Sequence, residues 1–272
     1  MTATAPRRPH RACVGLLFGL GWLASAGPSA AGAWNRRAGE GLAIIDYTLG
    51  SGTDYFDGGG HLAPARHYAK SELAAYLEYG ATDALTLVAR PSLDDVHVGA
   101  PGAGVYRGFG SSAVGAQWQA LVFGPAVLAL QGTFAIPGST SRSDPAVVGN
   151  TAREGDLRVL AGVGLPVLFR PFIDLQGSYR IRSGGAAAQW HGDATFGFYP
   201  TDKLLILLQS FSTVPTGPGD ARLPSFRATR LELKGVYALT EAWAVQLGAF
   251  TTARGRDALR ERGFTTGVWW FF

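Results

Sequence analysis

Four histidines follow residue 34: His61, His67, His97 and His191. None stands in a His-x-Ser arrangement, and no Gly-x-Ser-x-Gly occurs. A hydrolase built on a serine, a base and an orienting acid is therefore not spelled out. His191 has Asp193 two residues on, a spacing that could orient an imidazole from one strand face; a solvated histidine at a loop edge is the plainer reading. Asp94-Asp95, and Asp54 with Asp57, could touch a calcium ion, but the spacing is unspecific and solvated loop charges explain it as well. Gly58-Gly59-Gly60 and Gly184-Gly185 lack the strand-to-helix setting of a phosphate loop. The one cysteine, Cys13, lies in the first basic and apolar stretch, so no disulfide, thiolate metal site or cysteine nucleophile is expected beyond it. No enzyme, cofactor or metal is predicted from these residues.

The remaining candidates are charges. Lys70, Glu72, Glu78, Arg90, Asp156, Arg158, Asp174, Arg180, Arg182, Asp193, Arg230, Glu232 and Lys234 fall on polar faces of alternating segments. Two chemistries fit them. They could line a narrow polar pathway and set its selectivity. They could also pair across neighbouring strands and fill an interior.

The elements that must hold them have period two. Over 171–182, Ile173, Leu175, Gly177, Tyr179 and Ile181 share one face, and Asp174, Gln176, Ser178, Arg180 and Arg182 the other. Segments of this kind are predicted near 40–49, 68–79, 84–92, 109–120, 126–137, 156–165, 171–182, 190–199, 203–213, 228–238, 242–253 and 263–272. That is about twelve strands, with ten to fourteen compatible, and most are near the length that spans a bilayer. Those near 84–92, 109–120 and 203–213 alternate less cleanly. Connectors after even strands are short. Those after odd strands (50–67, 93–108, 138–155, 183–189, 214–227 and 254–262) are mostly longer and rich in Gly, Pro, Ser and Asp. Sorted loop lengths suit a transmembrane barrel with both termini periplasmic. The expected fold is thus all-β, a transmembrane antiparallel barrel. Three short turns share an aromatic, then Thr with Asp or Glu: Tyr79 to Leu85, Tyr199 to Leu204 and Tyr237 to Trp243. There Thr and acidic side chains are expected to bond the local backbone.

Both chain ends support export to a membrane. Phe272, Trp270, Val268, Thr266 and Phe264 form a largely aromatic, uncharged face at the last residues, as a closing strand in lipid would. Phe264, Val268, Trp270 and Phe272 are the expected signal to barrel-assembly machinery. At the other end, Arg7, Arg8 and Arg11 precede an apolar run from Val14 to Gly27, followed by Ala31-Gly32-Ala33. This predicts a signal peptide over residues 1–33, cleaved before Trp34, and a barrel over 34–272. Removing three arginines takes the formal charge of +4 close to neutral, and no basic cluster with interleaved aromatics occurs, so no nucleic-acid partner is expected.

Ala33-Trp34, Gly39-Glu40-Gly41, the run Glu78-Tyr79-Gly80-Ala81-Thr82-Asp83-Ala84-Leu85-Thr86 and the aromatic C-terminus resemble outer-membrane transporter-like barrels of the type named for the MetA pathway of phenol degradation. The resemblance implies residence in the outer membrane, contact with its lipid, and uptake of small, hydrophobic or aromatic compounds. The reading that follows is a passive channel or facilitator for a small solute. A structural or interaction barrel with a filled lumen, and a lipid-modifying enzyme at the rim, are the alternatives.

Overall fold

The computed structural model describes residues 32–100, 103–139, 146, 151–219 and 224–272. The expected signal peptide lies outside them, apart from Gly32 and Ala33. Fourteen strands follow in order: β1 (Gly41–Phe56), β2 (Leu62–Thr82), β3 (Leu85–Arg90), β4 (Ser92–Val98), β5 (Gly104–Phe109), β6 (Ser112–Phe123), β7 (Ala126–Ile136), β8 (Glu154–Gly164), β9 (Phe172–Arg182), β10 (Gln189–Phe198), β11 (Leu204–Pro215), β12 (Arg227–Ala238), β13 (Trp243–Arg256) and β14 (Ala258–Phe271). All pairings are antiparallel, and β1 bonds both β2 and β14, so the sheet closes on itself. No helix occurs among the described residues.

Two traverses are each split in two, which makes the barrel twelve-stranded. β3 and β4 lie along β2 in one register from Gly80 to Tyr68, broken at Pro91, with a bulge between Gly80 and Thr82. Proline has no N–H to give the ladder, but its carbonyl still accepts from Ala75 at 3.0 Å. Opposite, Arg90 faces Ala113 while Leu93 faces Phe109, so the β5–β6 side carries one extra residue at Gly110-Ser111. This bulge reverses face parity. Val105, Arg107 and Phe109 point outward on β5, whereas Val114 and Trp118 do so on β6. The expected strand at 109–120 alternates poorly for this reason; in 84–92 it is the inward, apolar Val88 that blurs the pattern.

Outside faces are apolar. Leu175 is 53% exposed and Leu247 67%, as a wall bathed in lipid requires and a soluble sandwich does not tolerate. The expected outward row of the last strand is present in Phe264, Val268, Trp270 and Phe272, while Trp269 turns inward and donates to Gln246 Oε1 at 2.8 Å.

Three expected loops are corrected. Segments 50–67, 93–108 and 254–262 are largely strand among the described residues, with short turns at 57–61 and Asp257. Alternation marks only where strands meet lipid. Beyond that belt both faces are wet, yet the ladder continues, as in Tyr55 opposite Leu259 and Ala63. Asp57 caps its turn by accepting the N–H groups of His61 and Gly59, each at 2.8 Å, and the His61 bond foremost holds its carboxyl below the usual range.

At the opposite, short-turn end the threonines behave as expected. Thr82 accepts from Leu85, Thr201 from Leu204 and Thr240 from Trp243, at 3.0 to 3.1 Å. The acids do not bond their own turn. Asp83 accepts from Ala38, and Asp202 pairs with Arg170. Both ends of the barrel chain lie here, since Gly41 N–H donates to Phe272 at 2.7 Å.

Candidate functional site

The inward faces of the strands carry the predicted charges, and nearly all are ion-paired. On β2, β3 and β4, Lys70 Nζ lies 2.7 Å from Glu72 and 3.2 Å from Asp94, and Arg90 lies 3.2 Å from Glu72. On β12, Glu232 is held between Arg230 and Lys234, each at 3.1 Å. The Arg230 guanidinium also stacks 3.5 Å above the Phe250 ring. On β8, β9 and β10, Arg158 joins Asp193 at 2.5 Å and Asp156 at 3.5 Å. Arg180 bridges Asp156 and Glu154 at 3.2 Å each, and Arg182 holds Glu154 at 2.8 Å. Glu78 takes Arg36 at 2.6 Å. Asp174 alone of the predicted set has no cation within ion-pair distance among the described residues.

These contacts follow from strand geometry. Residues two apart on one strand share a face, and directly opposed residues on neighbouring strands are close enough for side-chain contact. Asp156 opposite Arg180 and Glu154 opposite Arg182 are direct cross-strand pairs. Alternating signs let each charge find an opposite one locally, so the wall carries both signs without a field of either.

Residues 32–40, which precede the first strand, cross the lumen. Ala33 N–H donates to Asp174 at 2.7 Å, and Ala33 packs with Val127, Ala129 and Leu160. Trp34 lies edge-on to Phe172, ring centroids 5.9 Å apart. A β-carbon on Gly162 would come within 2.6 Å of that indole, so glycine there makes room for it. Gln117 donates to Gly32 O and Asn35 Oδ1 at 3.0 Å. Arg36 N–H donates to Thr86 at 3.0 Å, and its side chain reaches Glu78. Ala38 is tied to Asp83, and Gly39 to Gly80. The segment therefore runs from β9 to β2 and β3, and it stoppers the short-turn end.

Above it the lumen is not filled. The side chains of Arg90, Arg230, Arg180 and Lys70 retain 61%, 34%, 28% and 26% of their exposure although they point inward. Under the stopper, Asp174, Glu78 and Gln117 are buried to 2–3%. The arrangement is a polar vestibule, closed by residues 32–40 at the short-turn end.

Sequence reasoning missed Asp46, Glu154, Asp94 and Glu261. Asp46 contacts Gln246, and Asp94 meets Lys70. Asp94 and Glu261 were placed in loops, and Glu154 fell just before the expected strand. Asp46 sits among inward Leu42 and Ile44, where no polar face announces it. The His191–Asp193 contact that the spacing allowed does not form, and His191 lies within β10 rather than at a loop edge: its Nδ1 meets Thr213 at 3.3 Å, and Asp193 is taken by Arg158. Asp95 pairs with His97 and Arg107, and among the described residues no group of acids, histidines or cysteines could hold a metal.

No family model matches the chain, and no curated protein does. Solved structures do match. An outer membrane channel from Pseudomonas putida F1 superposes with a TM-score of 0.73 over 90% of this chain and 99% of its own, at 14% identity. The NanC porin gives 0.55 over 84% and 98%, at 10% identity. The translocator domain of the autotransporter NalP from Neisseria meningitidis gives 0.53 over 86% and 89%, at 12% identity. The chain has the fold of outer-membrane barrels, as the resemblance in its ends and first hairpin implied.

Proposed function

We propose that this barrel is a passive outer-membrane channel for small solutes, with no enzymatic activity, whose route is restricted by its own residues 32–40. The carrying observation is the vestibule: inward charges that remain open to solvent above a stopper that buries those beneath it. A barrel serving only as structure gains nothing from a hydrated, charge-lined cavity, since each lumen charge must be desolvated or paired. The similar barrels include a channel and a porin, which favours the same reading. The vestibule faces the cell exterior and the termini the periplasm, as sorted connection lengths suggest. Outer-membrane lipid surrounds it, and a concentration gradient drives the flow. Both charge signs line the wall, so neither anions nor cations are strongly selected.

The test is swelling of proteoliposomes in small neutral solutes, with conductance recorded in parallel. Arg36→Ala removes the ion pair to Glu78 at one end of the stopper. The variant should pass solute faster and conduct more than the native barrel. If both are silent to every small solute tried, the filled structural barrel is the better reading.

A further inference from the structure

We propose that the exported chain is cleaved after Ala31, not after Ala33, and that the α-ammonium of Gly32 is the counter-ion of Asp174 inside the lumen. Two small-residue sites overlap here. Ser29 with Ala31 satisfies the three-residue spacing of a signal-peptidase site as well as Ala31 with Ala33 does. The A-x-A run favours cleavage before Trp34, but the contacts of Gly32 and Ala33 favour the earlier site.

Gly32 and Ala33 are built into the barrel. Ala33 is fully buried against Val127, Ala129 and Leu160, and its N–H donates to Asp174 Oδ2 at 2.7 Å. Gly32 O accepts from Gln117 Nε2 at 3.0 Å. Cleavage before Trp34 would empty this apolar niche and strip Asp174 and Gln117 of those bonds. It would do so at the point where the stopper meets the wall farthest from Arg36.

Asp174 supplies an independent observation. Its carboxylate is 3% exposed, and its hydrogen-bond donors are Ala33 N–H and Gln176 Nε2. No cation lies within ion-pair distance among the described residues, whereas every other predicted lumen charge has one. A buried carboxylate without a cation is costly. A β-carbon on Gly32 would stand 2.7 Å from Asp174 Oδ2, so a larger residue there would displace the carboxylate. By standard bond lengths the Gly32 nitrogen lies within about 2.5 Å of that position, and so within about 5 Å of the carboxylate. Once freed from Ala31, it can turn toward the oxygen by rotation about a single backbone bond.

The step is a hydrolysis by the exporting cell's signal peptidase. Water splits the Ala31–Gly32 amide. Ala31 leaves with the new carboxylate, and the Gly32 nitrogen takes up a proton to become an ammonium. Cleavage thereby creates the positive charge that the wall lacks.

Intact mass and N-terminal sequencing of the full-length protein, exported and purified from outer membranes, test the cleavage without any variant. Glycine first, at position 32, is expected; tryptophan first overturns the proposal. The ammonium contact is tested by an amine-reactive reagent near neutral pH, where lysines stay largely protonated and the α-amine is the reactive group. The native N-terminus should be modified slowly, and that of Asp174→Asn, checked to be folded by its heat-modifiable mobility, about tenfold faster, as a difference of one pKa unit gives. Equal rates in the two folded proteins overturn the contact. Neither readout depends on whether the barrel conducts.

Discussion

Neighbouring residues on β9 face different solvents. Leu175 and Ile181 are exposed on the apolar wall, whereas Arg180 and Arg182 hold Asp156 and Glu154 inside. Leu175→Arg should therefore cost about 2–4 kcal/mol of insertion, as a charge near the midplane does. Ile181→Arg, closer to the interface, should cost roughly 0–1 kcal/mol, and Arg182→Leu should insert as well as the native chain. The folded fraction on heat-modifiable electrophoresis checks the order; equal tolerance in all three refutes the register. Phe272 acts differently. It packs at a tilt against Trp270, ring centroids 4.5 Å apart, and exchanges two backbone hydrogen bonds with Gly41, closing the seam between β14 and β1. Removing Phe272 should lower the fraction assembled in cells, both by opening this seam and by shortening the aromatic row offered to assembly machinery. Unchanged assembly after loss of Phe271 and Phe272 together counts against that role. Residue by residue, the shared face of these charges was legible because parity on a regular strand sorts side chains between two faces. Their partners were less so. Glu154, just before the expected strand, neutralises two arginines that sequence alone places only on a shared face.

At the scale of elements, the bulge at Gly110-Ser111 is the feature with the sharpest consequence. It is one residue that Pro91 and Ser92 do not match, held by Gly110 N–H on Ser92 O at 2.8 Å and by Ser112 Oγ near Ser92 N at 3.3 Å. Deleting Ser111 should unite the two registers while leaving Phe109, Val114 and Trp118 on the lipid face, so the barrel should still assemble. Deleting Gly115 should turn part of β6 inside out, exposing Gln117 to lipid and burying Trp118, because a one-residue slip exchanges the faces. The fraction of heat-modifiable, folded protein distinguishes them; equal yields refute the bulge. Strand positions elsewhere were close to those expected, since lipid on one side imposes alternation. The hairpin extensions above the belt were not, as in Tyr55 opposite Ala63, where both faces are wet and no periodicity is imposed. Nor was the stopper. Residues 32–40 have no period, and their partners Asp174, Gln117, Thr86 and Glu78 are scattered over four strands, so only closure of the barrel brings them together.

For the whole molecule, the balance of charge in the vestibule decides what it should pass. Toward the outer end of β8, β9 and β10, Arg158, Arg180 and Arg182 answer Glu154, Asp156 and Asp193, three charges of each sign. Arg180 and Arg182 stand at the end of β9 that leads to the longer connection, so they border the vestibule's mouth. Replacing both with glutamine keeps hydrogen-bonding groups beside Glu154 and Asp156 but leaves the two carboxylates without their cations. Carboxylates at the mouth of a low-dielectric wall focus a negative potential there. Small cations should then cross faster relative to anions than in the native barrel, while neutral solutes of the same size should change little. The shift should shrink as salt is raised, because the Debye length falls from about 10 Å at 0.1 M to about 3 Å at 1 M. Reversal potentials under a salt gradient, with neutral-sugar swelling alongside, read both quantities. If cation preference is unchanged while conductance persists, Arg180 and Arg182 do not set the selectivity of the route.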